Sequence, residues 1–278
     1  FTPVESVLLV LEIPRTNDKQ ELAAEQLFAS LHGILRDNKE LRLSGGHQEH
    51  ISFEIASVNG QIRFYVWVPK TLQSFVEGQI YSQYPTVQIH QADEDYTEHE
   101  RDHEVAYSTE LTLTTDEFLP IRTFQNFEVD PLAGITGTLA KLETTGEELW
   151  IQVLVRPIAD DWQNAADRYI NSIRNGRMFS LPGFGGSMQW LIGVLGALWQ
   201  PPEQGANQST AVELSDRDKT RISEAEKKAT KLGYEVKIRL VYMGESQTNA
   251  KLRMQALVGT FKQFNSTNLN GFRAVKGA

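Results

Sequence analysis

Hydrophobic and polar residues in the first third of the chain form patterns that predict strands and helices in turn. Val7–Ile13 is an almost unbroken apolar run, which is typical of a strand buried on both faces. Apolar residues recur at helical spacing through Asp18–Arg36 and predict a helix with one stripe against a sheet. Alternating runs at Ile51–Ala56 and Ile62–Val68 flank Asn59-Gly60, which predicts a β-hairpin with positive φ at both turn residues.

A second helix and a short strand complete the first half. Apolar residues from Leu72 to Ile80 mark the helix, and Tyr84-Pro85 ends it, because the residue before proline disfavours helical geometry. Thr86–Ile89 then predicts a strand. The resulting βαββαβ order is that of a ferredoxin-like unit.

The second half repeats this order with one change. An extended stretch around Leu111–Phe127 precedes Asp130-Pro131, an N-cap followed by proline at the first helical position. A strand at Leu149–Val155 follows the helix, and then a long insertion, about Ala159–Gly233, stands where the first half has a two-residue turn. The last patterns predict a strand, a helix and a closing strand at Val236–Leu240, Ala250–Phe261 and Gly271–Val275.

We therefore predict an α+β fold of two tandem ferredoxin-like (βαββαβ) units. Residues 1–92 form the first unit, residues 93–108 an acidic linker and residues 109–278 the second unit. The helical insertion, about 159–233, lies at the β2–β3 connection of the second unit. Internal duplication is inferred from the order of the elements, because residue identity between the halves is slight.

Composition narrows the classes of function. The chain has 278 residues and no cysteine, which excludes disulfides, thiol nucleophiles and cysteine-ligated metal sites. A net charge of −9 argues against a protein that binds nucleic acid over its whole surface. From Lys231 onward, however, the chain contains eight basic residues and only two acidic ones. The candidate contacts to DNA in this basic third are Lys237, Arg239, Lys251, Arg253 and Lys262.

The insertion contains the longest uncharged stretch, Met178–Pro202. Its dense part, Trp190–Trp199, would make about 15 Å of helix, against the roughly 30 Å hydrocarbon core of a bilayer, and so does not span a membrane alone. Three interpretations stay open: packing on its own domain, contact with a partner subunit, or attachment to a membrane surface. The candidate interaction residues are Trp190, Leu191, Ile192, Val194, Leu195, Leu198 and Trp199.

The segment from His99 to His103 matches the zinc-protease pattern H-E-x-x-H. On a helix, His99 and His103 would share a face and Glu100 would activate water. The surrounding residues are mostly acidic and lack an apolar stripe, so a solvated linker is the preferred interpretation and a zinc hydrolase a weak alternative.

Five segments together resemble a known family: Leu22–Leu35, Ile62–Ile89, Phe124–Leu142, Glu148–Ile158 and Val258–Phe272. They are similar to the amino-terminal region of bacterial membrane-associated proteins related to the ATPases of conjugative type IV secretion. In those proteins the region is a domain of unknown function, which often follows a transmembrane segment and precedes a P-loop ATPase domain.

The resemblance implies a non-catalytic assembly module on the cytoplasmic face of the bacterial inner membrane. Its implied partners are its own ATPase domain and other subunits in a homo-oligomer, with a membrane surface as a further candidate. No G-x-x-x-x-G-K-[ST] loop occurs in the chain, so we expect neither ATP hydrolysis nor a bound cofactor. Because the chain starts at Phe1, we expect a fragment whose ATPase domain would begin near Ala278. Nucleic-acid binding by this fragment alone is not expected.

Overall fold

The alternating segments of both halves join one antiparallel sheet. The computed structural model describes residues 5–14, 22–98, 101, 103–142, 146–174 and 214–275. The chain divides into two compact units, a larger one of Phe1–Asp160 with Lys231–Ala278 and a smaller one of Asp161–Thr230. The described residues form a mixed α+β fold with eight strands and seven α-helices.

All eight strands belong to the larger unit. In chain order they are β1 Ser6–Glu12, β2 Ile51–Val58, β3 Gln61–Pro69, β4 Gln88–Gln91, β5 Val105–Leu113, β6 Glu148–Ile158, β7 Gly233–Gly244 and β8 Phe272–Ala274. The order across the sheet is β4-β1-β3-β2-β6-β7-β5-β8, and each pair of neighbours is antiparallel.

The strand order is the same in the two halves when each is followed outward from the centre. The first four strands lie in the order 4-1-3-2, and the last four, numbered from one, lie in the order 2-3-1-4. The halves meet where β2 pairs with β6, with Glu54 opposite Gln152. One continuous sheet therefore carries the side chains of both halves.

The described residues contain seven helices: α1 Leu22–Leu31, α2 Asn38–Leu43, α3 Gln73–Gln83, α4 Pro131–Ala140, α5 Asp161–Arg174, α6 Asp216–Ala229 and α7 Gln247–Phe261. The predicted start of α4 is confirmed, since the Asp130 carboxylate accepts a hydrogen bond from the Leu132 amide, 2.8 Å away, and Pro131 follows it. The predicted hairpin is also confirmed, with φ values of 50° at Asn59 and 72° at Gly60.

Three local features differ from the sequence-based expectations. The sequence patterns did not predict α2, although Asp37 and Glu40 form a capping box at its start, which is a recognisable signal. The strand β5 begins at Val105, inside the segment assigned to the linker and before the extended stretch expected from Leu111. The strand β4 lies two residues later than expected, because Tyr84 accepts a turn hydrogen bond from the Val87 amide.

The helices of the larger unit build two apolar cores on one face of the sheet. Helices α1 and α3 cover the first half, where Leu9, Leu31 and Val66 are almost fully buried. Helices α4 and α7 cover the second half, where Leu240 and Leu257 are fully buried. Burying each such side chain stabilises the fold by roughly 1.5–3 kcal/mol, so this face is fixed by packing.

The smaller unit contains α5 and α6, which pack together. Tyr169 of α5 and Ile222 of α6 are among their buried side chains. Arg174 and Glu226 form an ion pair between the two helices. None of the helices in the described part of the chain is both long and apolar enough to cross a membrane. The predicted interaction residues lie outside the described residues: Trp190, Leu191, Ile192, Val194, Leu195, Leu198 and Trp199.

Candidate functional site

The second face of the sheet carries the linker between β4 and β5, and we call it the linker face. Because side chains alternate along a strand, every second residue of the central strands points to this face. Its strand residues near the centre of the sheet are Ser52, Glu54 and Ala56 of β2, Tyr65 and Trp67 of β3, Trp150, Gln152 and Leu154 of β6, and Arg239 and Val241 of β7. Polar and aromatic groups are thus concentrated here, whereas the opposite face is mostly aliphatic.

One row of cross-strand neighbours crosses the centre of the linker face. Tyr65, Glu54, Gln152, Arg239 and Glu110 stand opposite one another on five adjacent strands. Arg239 donates from Nη1 to the Gln152 side-chain oxygen at 3.4 Å. The row therefore places a carboxylate, an amide and a guanidinium side by side.

Tyr96 of the linker is inserted over this row. Its hydroxyl donates to Glu54 Oε2 and accepts a hydrogen bond from Gln152 Nε2 at 3.0 Å. Its ring lies 4.8 Å from the Tyr65 ring and 5.0 Å from the Trp150 ring. Burial, and then the charge of Glu54, raise the pKa of Tyr96 well above its usual range, so it remains a neutral donor at neutral pH.

Arg101 fixes the linker at a second point. Its Nε lies 3.0 Å and 3.1 Å from the two carboxylate oxygens of Glu148, and its guanidinium lies 5.0 Å from the centre of the Trp150 ring. The Trp150 indole donates to Glu148 Oε2 at 3.0 Å, and the Arg101 guanidinium also donates to the Tyr96 carbonyl. The guanidinium is thus enclosed by a carboxylate, an aromatic ring and a backbone carbonyl.

A depression of about 330 Å³ lies beside the linker on this face. Ser52, Glu54 and Gln152 are buried polar residues that line it, and two tryptophans, Trp67 and Trp150, line it as well. Ser52 is only 3% exposed, and its hydroxyl has no hydrogen-bond partner among the described residues. A buried hydroxyl without a partner is costly, which marks it as a candidate contact for a bound group.

His50 borders the depression and supports one of its walls. Its ring stacks on Trp67 with 4.8 Å between the centroids and 15° between the planes. Burial, and then the charges of His47 and Arg156, lower the pKa of His50 below its usual value. The imidazole is therefore neutral at pH 7 and adds no positive charge to the depression.

A second buried polar cluster lies next to Glu148 in sequence. Tyr242 donates to Glu147 Oε1 at 2.7 Å, and Arg253 donates to Glu147 Oε2 at 2.9 Å and 3.0 Å. A side-chain carbon at Gly244 would collide with the Tyr242 hydroxyl, so glycine there gives the phenol its space. Burial, followed by the hydrogen bond to Glu147, raises the pKa of Tyr242 above its usual value. These contacts tie the start of β6 to α7.

The predicted DNA-contact residues differ in their locations and in their partners. Lys237 pairs with Glu110 at 2.8 Å and Arg253 pairs with Glu147. Arg239 borders the depression, while Lys251 lies on α7 and Lys262 follows it. Pairing of two of these cations with carboxylates reduces what they offer to a phosphate backbone.

The predicted zinc motif lies partly outside the described residues, which include His103 but neither His99 nor Glu100. His103 Nε2 lies 3.6 Å from Oε1 of Glu148, the same carboxylate that binds Arg101. No group of three or more potential metal ligands occurs in the part of the chain that the structure describes. The two described residues of the motif, Arg101 and His103, thus both contact the carboxylate of Glu148.

Apart from Arg239, which was predicted as a DNA contact, sequence reasoning missed the residues of the depression. The available signal was the placement of Trp67 on the polar side of an alternating strand and of Ser52 and Glu54 on the polar side of its hairpin partner. The contact of Tyr96 with Glu54 joins residues 42 positions apart. That contact follows from the fold and carries no local signal.

Comparison with known proteins gives a family but no activity. A family model for a domain of unknown function, DUF8128, matches residues 7–276. No curated protein matches the chain. Among solved structures, a xylooligosaccharide oxidase from Myceliophthora thermophila C1 in complex with xylobiose is 12% identical, with a TM-score of 0.34. The match covers 98% of this chain and 46% of the oxidase, so the chain spans about half of that protein's length.

Proposed function

Since this chain belongs to the DUF8128 family, a domain of unknown function, we propose from its own geometry that it is a non-catalytic docking module. Its docking surface would be the linker face, and its partner a protein. The observation that carries this proposal is the depression beside the linker, where Ser52 is buried without a hydrogen-bond partner among the described residues. The opposite face is occupied by the two helix-covered cores.

The linker itself supports this use of the surface. It lies across strands of both halves, with Tyr96 placed over Glu54 and Arg101 bound to Glu148. A face that holds one segment through a tyrosine and an arginine has the chemistry to hold another. Tyrosine and arginine are also enriched where proteins bind one another.

The architecture supports an origin of this surface in two repeated parts. We infer that the two halves are tandem ferredoxin-like units joined through β2 and β6. The strand orders 4-1-3-2 and 2-3-1-4 support this interpretation, as does the packing of two helices on each half. The depression then lies where the halves meet, since its polar residues Glu54 and Gln152 form a cross-strand pair at that junction.

The resemblance to proteins related to type IV secretion ATPases suggests what the partner would be. In that setting the module would contact its own ATPase domain or neighbouring subunits, beside the cytoplasmic face of a bacterial membrane. Contact with DNA through the basic third receives less support, because Lys237 and Arg253 form ion pairs with carboxylates of this chain.

Hydroxyl-radical footprinting tests the docking surface. The chain would be oxidised alone and within the complex that contains it, purified from its source cells, and the oxidation of each residue compared by mass spectrometry. Trp67 on the linker face should be oxidised several-fold more slowly in the complex. Tyr81 of α3, which is 40% exposed, serves as the control on another surface and should react equally in both samples. Equal oxidation of Trp67 in both samples would refute docking through this face.

A further inference from the structure

We propose that the depression on the linker face binds the guanidinium group of an arginine carried by the partner's docking segment. This inference rests on the proposed docking function and adds the chemistry of the partner. It is carried by an internal precedent, by a buried carboxylate and hydroxyl, and by the charge around the depression.

The precedent is the binding of Arg101 to the same face. Its guanidinium lies over the Trp150 ring and makes hydrogen bonds to both oxygens of Glu148. The Glu148 side chain is only 4% exposed, so the arginine neutralises a buried charge. The linker face therefore already holds one guanidinium between a tryptophan and a carboxylate.

The depression repeats this combination with Trp67 and Glu54. Trp67 stands directly opposite Ser52 on the neighbouring strand, and Glu54 is two residues beyond Ser52 on the same face. Diagonal neighbours of this kind lie about 7–8 Å apart, within reach of one planar guanidinium. The carboxylate, the hydroxyl and the indole ring are thus placed around one site.

Glu54 has the capacity for a further donor. It is 7% exposed, and the Tyr96 hydroxyl donates to its Oε2. Within the described ranges no cation forms an ion pair with Glu54, and Arg239 donates instead to Gln152. A guanidinium has five N–H donors, so it would bind Glu54 Oε1 and the unpartnered Ser52 hydroxyl together.

Charge and size favour this occupant over an anion or a large ligand. Asp95 also lines the depression, so two carboxylates, Glu54 and Asp95, face one guanidinium, that of Arg239. A volume of about 330 Å³ is at the lower end for ligand pockets and suits one long side chain. Arginine is preferred to lysine because its planar group stacks on an indole while donating to a carboxylate.

The test uses the chain and two short peptides observed by NMR. The probes are the blocked tripeptides acetyl-Gly-Arg-Gly-amide and acetyl-Gly-citrulline-Gly-amide, which have nearly the same shape and differ in charge. The chain has five tryptophans, whose indole N–H signals report binding. We expect saturable shifts of the Trp67 signal, with the arginine peptide binding about tenfold more tightly than the citrulline peptide, as for a charge-assisted hydrogen bond.

Two variants assign the effect to the depression. Glu54→Gln keeps an acceptor for the Tyr96 hydroxyl but removes the charge, and it should abolish the preference for arginine over citrulline. Glu110→Gln is the matched control, because Glu110 lies in the same cross-strand row but pairs with Lys237 outside the depression. Its preference should equal that of the unaltered chain. If Glu54→Gln does not fold, Trp67→Leu removes the aromatic wall instead and should weaken binding of the arginine peptide, which is then followed by the indole signal of Trp150, since Trp150 also lines the depression.

Several results would overturn the proposal. Equal binding of the two peptides, or an unchanged preference in Glu54→Gln, would exclude a guanidinium site at Glu54. Tighter binding of acetyl-Gly-Glu-Gly-amide would assign the depression to an anion held by Arg239. Binding of agmatine without binding of the arginine peptide would assign it to a small guanidine compound instead of a partner segment. Protection of Trp67 in the footprinting experiment, with no arginine preference, would leave docking supported and reject only this assignment.

Discussion

Replacing Arg101 with methionine should release the linker from the sheet and destabilise the larger unit. Methionine keeps much of the apolar stem but removes the guanidinium that binds both carboxylate oxygens of Glu148. The two side chains are only 9% and 4% exposed, so solvent screens their interaction weakly. The change therefore leaves a buried carboxylate without its main cation.

The magnitude follows from the remaining contacts of Glu148. Removing one partner of a buried ion pair costs about 3–5 kcal/mol of the free energy of unfolding. The Trp150 indole still donates to Glu148 at 3.0 Å, and His103 lies 3.6 Å away. We therefore expect the lower end, about 3 kcal/mol for Arg101→Met. Because neutral glutamine needs no counter-charge, Arg101→Met should cost at least 1.5 kcal/mol less when Glu148→Gln is already present.

Urea unfolding followed by tryptophan fluorescence at pH 7 measures the free energy, and native-state hydrogen exchange in β6 gives a local readout. The matched control is Arg156→Met, which breaks an exposed pair with Glu235 whose side chains are 45% and 61% exposed. An exposed pair contributes about 0–1 kcal/mol. Arg101→Met costing no more than Arg156→Met, or showing no coupling to Glu148→Gln, would refute the view that this pair fixes the linker.

Three further variants, two of them with a matched control, probe a core leucine and the buried tyrosines Tyr242 and Tyr96. Leu240→Ala should cost about 2–5 kcal/mol in urea unfolding, since Leu240 is fully buried, whereas Leu252→Ala, at a site 61% exposed, should cost under 1 kcal/mol. Gly244→Ala should lower the thermal midpoint because its Cβ collides with a buried phenol, while Gly137→Ala, with open space, should not lower it. Because the pKa of Tyr96 is raised in the folded state, its contribution to stability is present below pH 10.0 and is lost as the pH rises above that value. In Tyr96→Phe, the urea concentration at the unfolding midpoint should therefore fall less steeply between pH 9 and 11 than in the unaltered chain.

Much of the strand and helix pattern was predictable because it depends on local periodicity. The β2–β3 hairpin followed from alternation around Asn59-Gly60, and the start of α4 followed from Asp130 and Pro131. The pairing of β2 with β6 was not predicted. Both strands are apolar on one face and polar on the other, and nothing local in either sequence specifies which strand will pair with it.

The candidate site was less accessible to sequence reasoning than the fold. Glu54 and Ser52 occupy positions that an alternating strand normally turns to solvent, yet the structure buries both. Glu54 is buried because Tyr96, distant in sequence, lies over it, while Ser52 lies between Trp67 and Leu154 of the two adjacent strands. For the H-E-x-x-H match, in contrast, a local pattern was present, because its spacing is that of a zinc site. In the structure, the arginine of this segment, Arg101, instead forms an ion pair with Glu148.

The position of the β2–β6 junction also bears on aggregation. The longer strands β2 and β6, of 8 and 11 residues, pair in the interior, and the outer edges are the short strands β4 and β8, of 4 and 3 residues. Long unpaired edges recruit other chains by strand addition, whereas short ones limit it. Joining the halves thus removes from solvent the two edges most prone to uncontrolled polymerisation. Either half produced alone should expose such an edge and aggregate more readily than the intact chain.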